Sequence, residues 1–313
     1  MRPSPRAADH LIERASVPRE RRLAAFGPPG LIRRAQSLGC EDRAGTGVAT
    51  PPMEGHRVPE AATRRRTVPL PQGSIELAWA ALTDVGRRRE VNQDAVFAEY
   101  PLFVVADGMG GHIGGEIASS STVNRLEAIV GSGSVTPKTI EKALAKAVKD
   151  IASHPEATDD GTGTTVTGVF LELTGDEPHW VSLNIGDSRV YLLRDDTLVQ
   201  ITTDHSVVQE LVAAGRLSPE EAEHHPYGNV ITRAVGPSDS VRPDYIRLDV
   251  LDGDRFVVCS DGLTKELTDY GIQHFLREHE DPADAAAAMM DAALENGGRD
   301  NVTVIVLNVT RTD

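Results

Sequence analysis

Five aspartates, Asp94, Asp107, Asp187, Asp261 and Asp300, stand at loop positions beside small or turn-forming residues. Three of them close apolar, strand-like runs: L-F-V-V-A-Asp107-Gly108, V-S-L-N-I-G-Asp187-Ser188 and F-V-V-C-S-Asp261-Gly262. Asp300 opens one instead, in R-Asp300-Asn301-V-T-V-I-V-L. Carboxylates carried to strand ends from distant parts of a chain are how a fold assembles oxygen ligands for hard divalent cations. Each segment, taken singly, has a plainer reading. Asp107-Gly108-Met109-Gly110-Gly111-His112 serves equally well as a glycine turn that caps the helix after it. Arg89-Glu90-Val91-Asn92-Gln93-Asp94 pairs a guanidinium suited to phosphate with a carboxylate suited to metal. The arginine run 87–89 is also an ordinary solvated charge run. Gly186-Asp187-Ser188-Arg189 is good turn chemistry. The combination favours the cation site, because every plain reading must hold at once for that site to fail.

Other phosphate chemistries lack their residues. A cysteine nucleophile needs an arginine six positions on, where Cys259 has Lys265 and Cys40 has Thr46. Cys259, inside F-V-V-C-S, reads as a buried apolar residue. An aspartyl nucleophile needs D-x-D followed two positions later by Thr or Val; Asp252-Gly253-Asp254 has Phe256 there and reads as a turn. There is no glycine–lysine loop of the Walker A kind.

The elements that must position the aspartates begin near Ser74. Short apolar runs at 75–82, 95–98, 102–106, 164–173, 179–185, 190–194, 198–201, 245–250, 255–260 and 302–309 read as strands. T-G-D-E-P at 174–178 and D-G-D at 252–254 suit hairpins, so the sheets are expected to be largely antiparallel. Helices are expected over 116–130 and from Thr136-Pro137, a cap followed by proline at the first helical position. Ser218-Pro219-Glu220-Glu221 starts a short helix, and Asp281-Pro282 opens another that runs to Glu295 and stops at Gly297. This pattern predicts an α+β fold with helix pairs covering sheet faces.

Charge is divided unevenly. Residues 1–73 carry 13 arginines, no lysine and 7 acids; residues 74–313 carry 19 basic residues against 40 acidic ones. The Arg/Pro-rich leader, 1–73, is expected to be mostly disordered. The preferred reading is an extension without a role, or a start set too far upstream, with Met53 a later candidate. A body this acidic repels nucleic acid. Two cysteines in unlike contexts argue against a disulfide framework and for a reducing compartment. No apolar stretch reaches a membrane span, and the first residues lack a signal-peptide core. A cytoplasmic monomer is expected.

In order, R-x4-D, D-G-x-G-G, G-T-G-T-T, G-D-S-R, S-D-G and D-N resemble the metal-dependent Ser/Thr protein phosphatases of type 2C, the PPM family, in its bacterial form. The matching residues are Arg89 to Asp94, Asp107 to Gly111, Gly161 to Thr165, Gly186 to Arg189, Ser260 to Gly262, and Asp300-Asn301. The resemblance covers about 74–310. It implies two antiparallel β-sheets packed as a sandwich and flanked by pairs of α-helices, a four-layer αββα arrangement. It implies two Mn²⁺ or Mg²⁺ ions, with Asp107 bridging them, the Gly108 carbonyl on one, and Asp94, Asp261 and Asp300 completing the set. Asp187 with Asp261 matches a third, weaker metal site. Arg89 matches the phosphate-binding arginine. The implied reaction is hydrolysis of phosphoserine and phosphothreonine in proteins by a metal-bridged hydroxide attacking in line, with no covalent intermediate. The implied partners are phosphoproteins made by bacterial Ser/Thr kinases.

Two positions depart from the family. Met109 stands where eukaryotic members carry the histidine proposed as general acid, which leaves the nearby but unaligned His112 as candidate proton donor. Gln93 stands where many relatives have glutamate. Residues 203–236 look like the family's flap beside the site. Its histidines His205, His224 and His225 read first as solvated loop residues.

Overall fold

The run 102–106 has no polar residue to mark an outer face, because both of its faces are covered. Phe103 and Val105 enter a core with Trp79, Trp180, Phe256 and Ile305, while Leu102 and Val104 enter another with Leu126, Ile140, Leu144 and Leu183. Side chains alternate along a strand, so burial on both sides requires an uninterrupted apolar run. The run 304–307 does the same on the opposite sheet, up to Asn308. Ile305, Leu307 and Val309 join the first core, whereas Val304 and Val306 join a third with Ile272, Leu276, Met289 and Met290.

The structure, a computed structural model, describes residues 62–110, 114–131, 133–155, 161–173, 178–223, 225–236 and 241–312. The strands of one sheet are β1 (Arg64–Pro69), β2 (Ser74–Asp84), β8 (Arg189–Arg194), β9 (Thr197–Gln200), β11 (Arg255–Cys259) and β12 (Val302–Thr312). The other holds β3 (Asp94–Glu99), β4 (Leu102–Met109), β6 (Val166–Leu173), β7 (Pro178–Ile185) and β10 (Asp244–Asp249), with the short β5 (Gly163–Thr164) paired to the end of β4. Their orders are β1-β2-β12-β11-β8-β9 and β10-β7-β6-β4-β3, with antiparallel pairing throughout. Helices α1 (Gly114–Val130) and α2 (Pro137–Ser153) pack on the second sheet. Between β9 and β10 lie α3 (Val207–Ala213) and α4 (Pro219–Glu223). The short α5 (Asp261–Thr264) follows β11, and α6 (Asp269–Glu278) and α7 (Pro282–Glu295) cover the first sheet. This is the expected α+β sandwich with helix pairs outside.

A file of rings joins the sheets. Trp79 meets Phe103 edge-on at 5.4 Å, Phe103 lies 6.4 Å from Trp180, and Trp180 lies 5.3 Å from Phe256. Trp79 and Phe256 come from one sheet and Phe103 and Trp180 from the other, and the Trp79 indole N–H donates across the gap to Ala98 O at 2.8 Å. Thr136 caps α2 in a reciprocal box with Thr139, and Asp281 caps α7 by accepting from Ala283 N, as the sequence predicts.

Three expectations need correction. The leader does not extend to residue 73, because Arg64–Pro69 is an edge strand whose register on β2 runs from Arg64↔Trp79 to Pro69↔Ser74. Only Val68 of this strand turns inward, so R-R-R-T-V-P shows no alternation to read. Pro69 is tolerated at a strand end on a sheet edge. Residues 1–61 of the expected leader lie outside the described residues. The helix paired with α7 is α6, capped by Thr268, and not the Ser218 helix. Finally, D-G-D at 252–254 is no hairpin: β10 and β11 belong to different sheets, and Asp254 is buried against Arg194, with both contacts at 2.7 Å.

Two truncations isolate the contribution of β1. Removing residues 1–73 rather than 1–63 deletes the strand and withdraws Val68 from the intersheet core. The shorter product should lose about 2 kcal/mol or more in urea unfolding. Coincident midpoints would show that the strand contributes nothing.

Candidate metal centre

All five aspartates come to one end of the sandwich. The register of β3 and β4 sets Asp94 directly opposite Asp107. Asp187 stands in the link from β7 to β8, Asp261 begins α5 just beyond β11, and Asp300 precedes β12. Antiparallel pairing brings these ends together, with Cys259 opposite both Arg189 and Val304.

Crowding changes the carboxyls themselves. Burial raises Asp107 well above its ordinary value, and repulsion from Asp94, Asp261, Asp187 and Asp300 raises it further. Asp94 is pushed up to about 7 by burial and by Asp261 and Asp300, against hydroxyl hydrogen bonds from Thr303 and Ser260 that pull it down. Asp187 is pushed up to about 7 by burial and by Asp261 and Asp204, with Lys265 opposing. Asp94 Oδ1 and Asp261 Oδ1 are buried without a hydrogen-bond partner. Buried acceptors rarely go unpaired, and carboxylates that repel one another in low dielectric are relieved by a bound cation. The donor set, all hard oxygen, suits Mg²⁺ or Mn²⁺. Among the described residues, no three His, Cys, Asp or Glu side chains close into a cage for a single ion. The acids stand instead as Asp94 facing Asp107 and Asp261 linked through Lys265 to Asp300.

The chain's own cations enter the cluster. Arg89 Nη2 lies 2.9 Å from Asp300 Oδ1, so the structure brings the phosphate-binding candidate to the acids. Lys265 Nζ lies 2.5 Å from Asp261 Oδ2 and 3.1 Å from Asp300 Oδ2. In the sequence, Lys265 stands out only as the residue that excludes a cysteine nucleophile. Its spacing of four from Asp261 was the available signal.

Hydroxyls and amides hold the acids in place. Thr165 Oγ1 accepts from Asp107 N at 3.0 Å and meets Ser188 Oγ at 2.8 Å; Thr164 Oγ1 donates to Asp107 O at 2.8 Å. This gives G-T-G-T-T its role, and it explains why the strand expected over 164–173 breaks at Thr165. A directed chain runs from Asn92 Nδ2 to Thr83 Oγ1 (2.8 Å), on to Thr303 Oγ1 (2.8 Å), and then to Asp94 Oδ2 (2.7 Å). Asn301 accepts from Gln93 N at 2.9 Å and donates to Val85 O and Val91 O, fixing the loop that carries Arg89. Gly108 N donates to Gln93 O at 3.1 Å, and a Cβ on Gly108 would sit 2.2 Å from Gly115 O. Glycine is therefore required where β4 crosses the start of α1.

His112 and Gly111 lie outside the described residues, as does His224. His205 contradicts the solvated reading: it is 8% exposed, and its Nδ1 accepts from Gly186 N at 3.0 Å while Nε2 faces Asp244 Oδ2 at 3.0 Å. Arg189 reaches Asp204 with contacts of 2.7 to 3.0 Å.

The family model for protein phosphatase 2C matches residues 85–296. The chain belongs to the protein phosphatase 2C family. A serine/threonine protein phosphatase of Mycobacterium tuberculosis, PstP, is 39% identical over 245 residues, covering 77% of this chain and 46% of the relative. The chain thus spans about half the length of that relative. Protein phosphatase PhpP of Streptococcus pneumoniae is 35% identical over 243 residues, covering 74% of this chain and 97% of the relative. The crystal structure of the M. tuberculosis PstP phosphatase superposes with a TM-score of 0.67 at 36% identity, covering 74% of this chain and 98% of that one. The two-sheet sandwich with outer helix pairs is thus the type 2C fold. Asp300 lies just beyond the end of the family match, held in place by β12.

A carboxyl raised above its unfolded value stabilises the fold while protonated and withdraws that stability as it ionises. Without metal, the contribution of Asp94 and Asp187 is full below their ordinary 3.8 and is lost as pH rises through about 7. Thermal melts of the metal-stripped protein should show the midpoint falling across that window, and a divalent cation should flatten or reverse the slope. A midpoint rising with pH in the absence of metal would contradict the crowding.

Proposed function

We propose that this chain hydrolyses phosphoserine and phosphothreonine in proteins with the help of Mn²⁺ or Mg²⁺. The observation that carries this reading is the convergence of five aspartates and Arg89 on one end of a type 2C fold, with Arg89 Nη2 2.9 Å from Asp300 Oδ1. Asp107, the Gly108 carbonyl, Asp94, Asp261 and Asp300 would hold two ions, and Asp187 with Asp261 a weaker third. A solved structure of the PstP catalytic domain, 35% identical, is a complex with two manganese ions. Bound there, the ions would supply positive charge for the phosphoryl oxygens and make a water acidic enough to attack phosphorus near neutral pH.

The chain's own groups have distinct parts. Arg89, half-exposed at the rim, offers a guanidinium to the phosphate and fixes its orientation through paired, charge-assisted hydrogen bonds. Asn301 and the Asn92–Thr83–Thr303 chain keep Arg89 and Asp94 on opposite ends of one rigid loop. Among the described residues the one cysteine does not compete with water: burial pushes the Cys259 thiol up to about 12, so it stays a thiol within the helix-side core. Met109 cannot give a proton, so the leaving oxygen takes one from His112 or from solvent. The substrates are phosphoproteins made by Ser/Thr kinases, and the enzyme works as a cytoplasmic monomer. The free, buried Cys259 is in keeping with a reducing compartment.

Purified protein with Mn²⁺ should release phosphate from phosphothreonine peptides. Asp107→Asn and Asp261→Asn should each lower kcat by about 100-fold or more, while Arg89→Ala should act mainly on KM, by about tenfold. Absence of turnover with either Mn²⁺ or Mg²⁺ would overturn the reading; full activity in either Asp variant would overturn that residue's role.

A further inference from the structure

Lys265 has no part in the chemistry above, yet it occupies the middle of the cluster. It follows α5 directly, four residues after Asp261, which puts both side chains on one face of the turn. Its ammonium lies 2.5 Å from Asp261 Oδ2 and 3.1 Å from Asp300 Oδ2, and the two carboxylates are only 15% and 18% exposed. Arg89 takes the other oxygen of Asp300. Both oxygens of Asp300 are therefore engaged by cationic side chains, whereas Asp261 keeps Oδ1 unpartnered. With two carboxylates within ion-pair distance and no other partner among the described residues, the ammonium is a fixed positive charge at the centre of the cluster.

We propose that Lys265 is a built-in counter-cation: it couples Asp261 to Asp300 in the metal-free protein and competes with a divalent cation for those two carboxylates. This rests on the metal reading given above. A cation that takes Oδ2 of Asp261 and Oδ2 of Asp300 must displace the ammonium. The lysine is tethered by its helix, so it is displaced only as far as its flexible stem allows, and its charge continues to oppose the incoming ion. The device has two consequences of opposite sign. It offsets carboxylate repulsion before metal arrives, and it sets a higher metal concentration for loading.

Calorimetric titration of Mn²⁺ into the metal-stripped full chain tests the proposal without reading activity, together with thermal melts in the absence of metal. Lys265→Met removes the charge and keeps the apolar stem; it should bind Mn²⁺ about tenfold more tightly and melt at a lower temperature without metal. Lys265→Arg keeps the charge and should titrate close to the unaltered chain. Should the methionine variant not fold without metal, Lys265→Gln, which keeps a hydrogen-bond donor, is titrated in its place with the same tightening expected. Mn²⁺ binding by the unaltered chain with equal or weaker affinity in the neutral variants would overturn the lysine's role and leave the metal centre standing. No Mn²⁺ binding by the unaltered chain would overturn both.

Discussion

Repulsion among carboxylates gathered at one end of two sheets is the constraint on which the rest of this structure depends. A lone half-buried aspartate adjusts by taking up a proton or turning to water. Five that share one field cannot all do so, and Asp107, opposed by four others, is the most constrained. Folding places them there because packing elsewhere compels it. Three cores bury the inner strands on both faces, and the ring file from Trp79 to Phe256 fixes the sheets against each other. Burial of that kind is worth tens of kilocalories in sum, so the acidic cluster is carried as a local cost on a frame that can hold it.

Local devices keep the cost from relaxing the geometry. Asp107 is held at both its N–H and its carbonyl by Thr165 and Thr164, and Asp94 ends a chain of hydroxyls that cannot reverse without breaking at Asn92. Glycine serves a separate purpose. At Gly262 a Cβ would lie 2.0 Å from Asn301 O, so the turn carrying Asp261 can approach the strand carrying Asp300 only without a side chain. Rigid supports of this sort preorganise charge for a ligand that brings the opposite sign.

The acids were legible because each sits at or near the end of a strand, and strands buried on both faces announce themselves as unbroken apolar runs; Asp94 and Asp107, expected in loops, are themselves strand residues of β3 and β4. β1 was not legible: as an edge strand with Val68 alone turned inward, it carries neither a run nor an alternation. α6 was missed because Gly271 and its short length dilute the spacing of Ile272 and Leu276. Lys265 and His205 escaped for another reason. Asp300 and Gly186, which define their roles, are distant in sequence; the spacing of Lys265 from Asp261 is a local trace of only half of its role, and His205 has none. Met109 and Gln93 were legible only as departures from a family pattern, since nothing in their own chemistry singles them out.

The segment 203–236 shows how far the constraint reaches. At one end, His205 N donates to Gly186 O at 2.9 Å while Gly186 N donates back to the His205 ring, and Asn184 Nδ2 donates to Thr203 O at 3.1 Å. At the other end, Thr164 and Val235 exchange both backbone hydrogen bonds, at 2.9 and 2.8 Å. Gly186 is the neighbour of Asp187, and Thr164 is the residue that holds the Asp107 carbonyl. The segment is therefore anchored twice, and each anchor also supports a carboxylate. Among the described residues its interior, with the half-exposed α3 and the exposed Tyr227 and Val230, meets the sheets through a side chain instead: Arg233 reaches Asp244 of β10 at 2.8 Å. A change that moves the interior reaches the centre through the backbone at Gly186 and Thr164 and through the side chain of Asp204, which Arg189 holds beside Asp187.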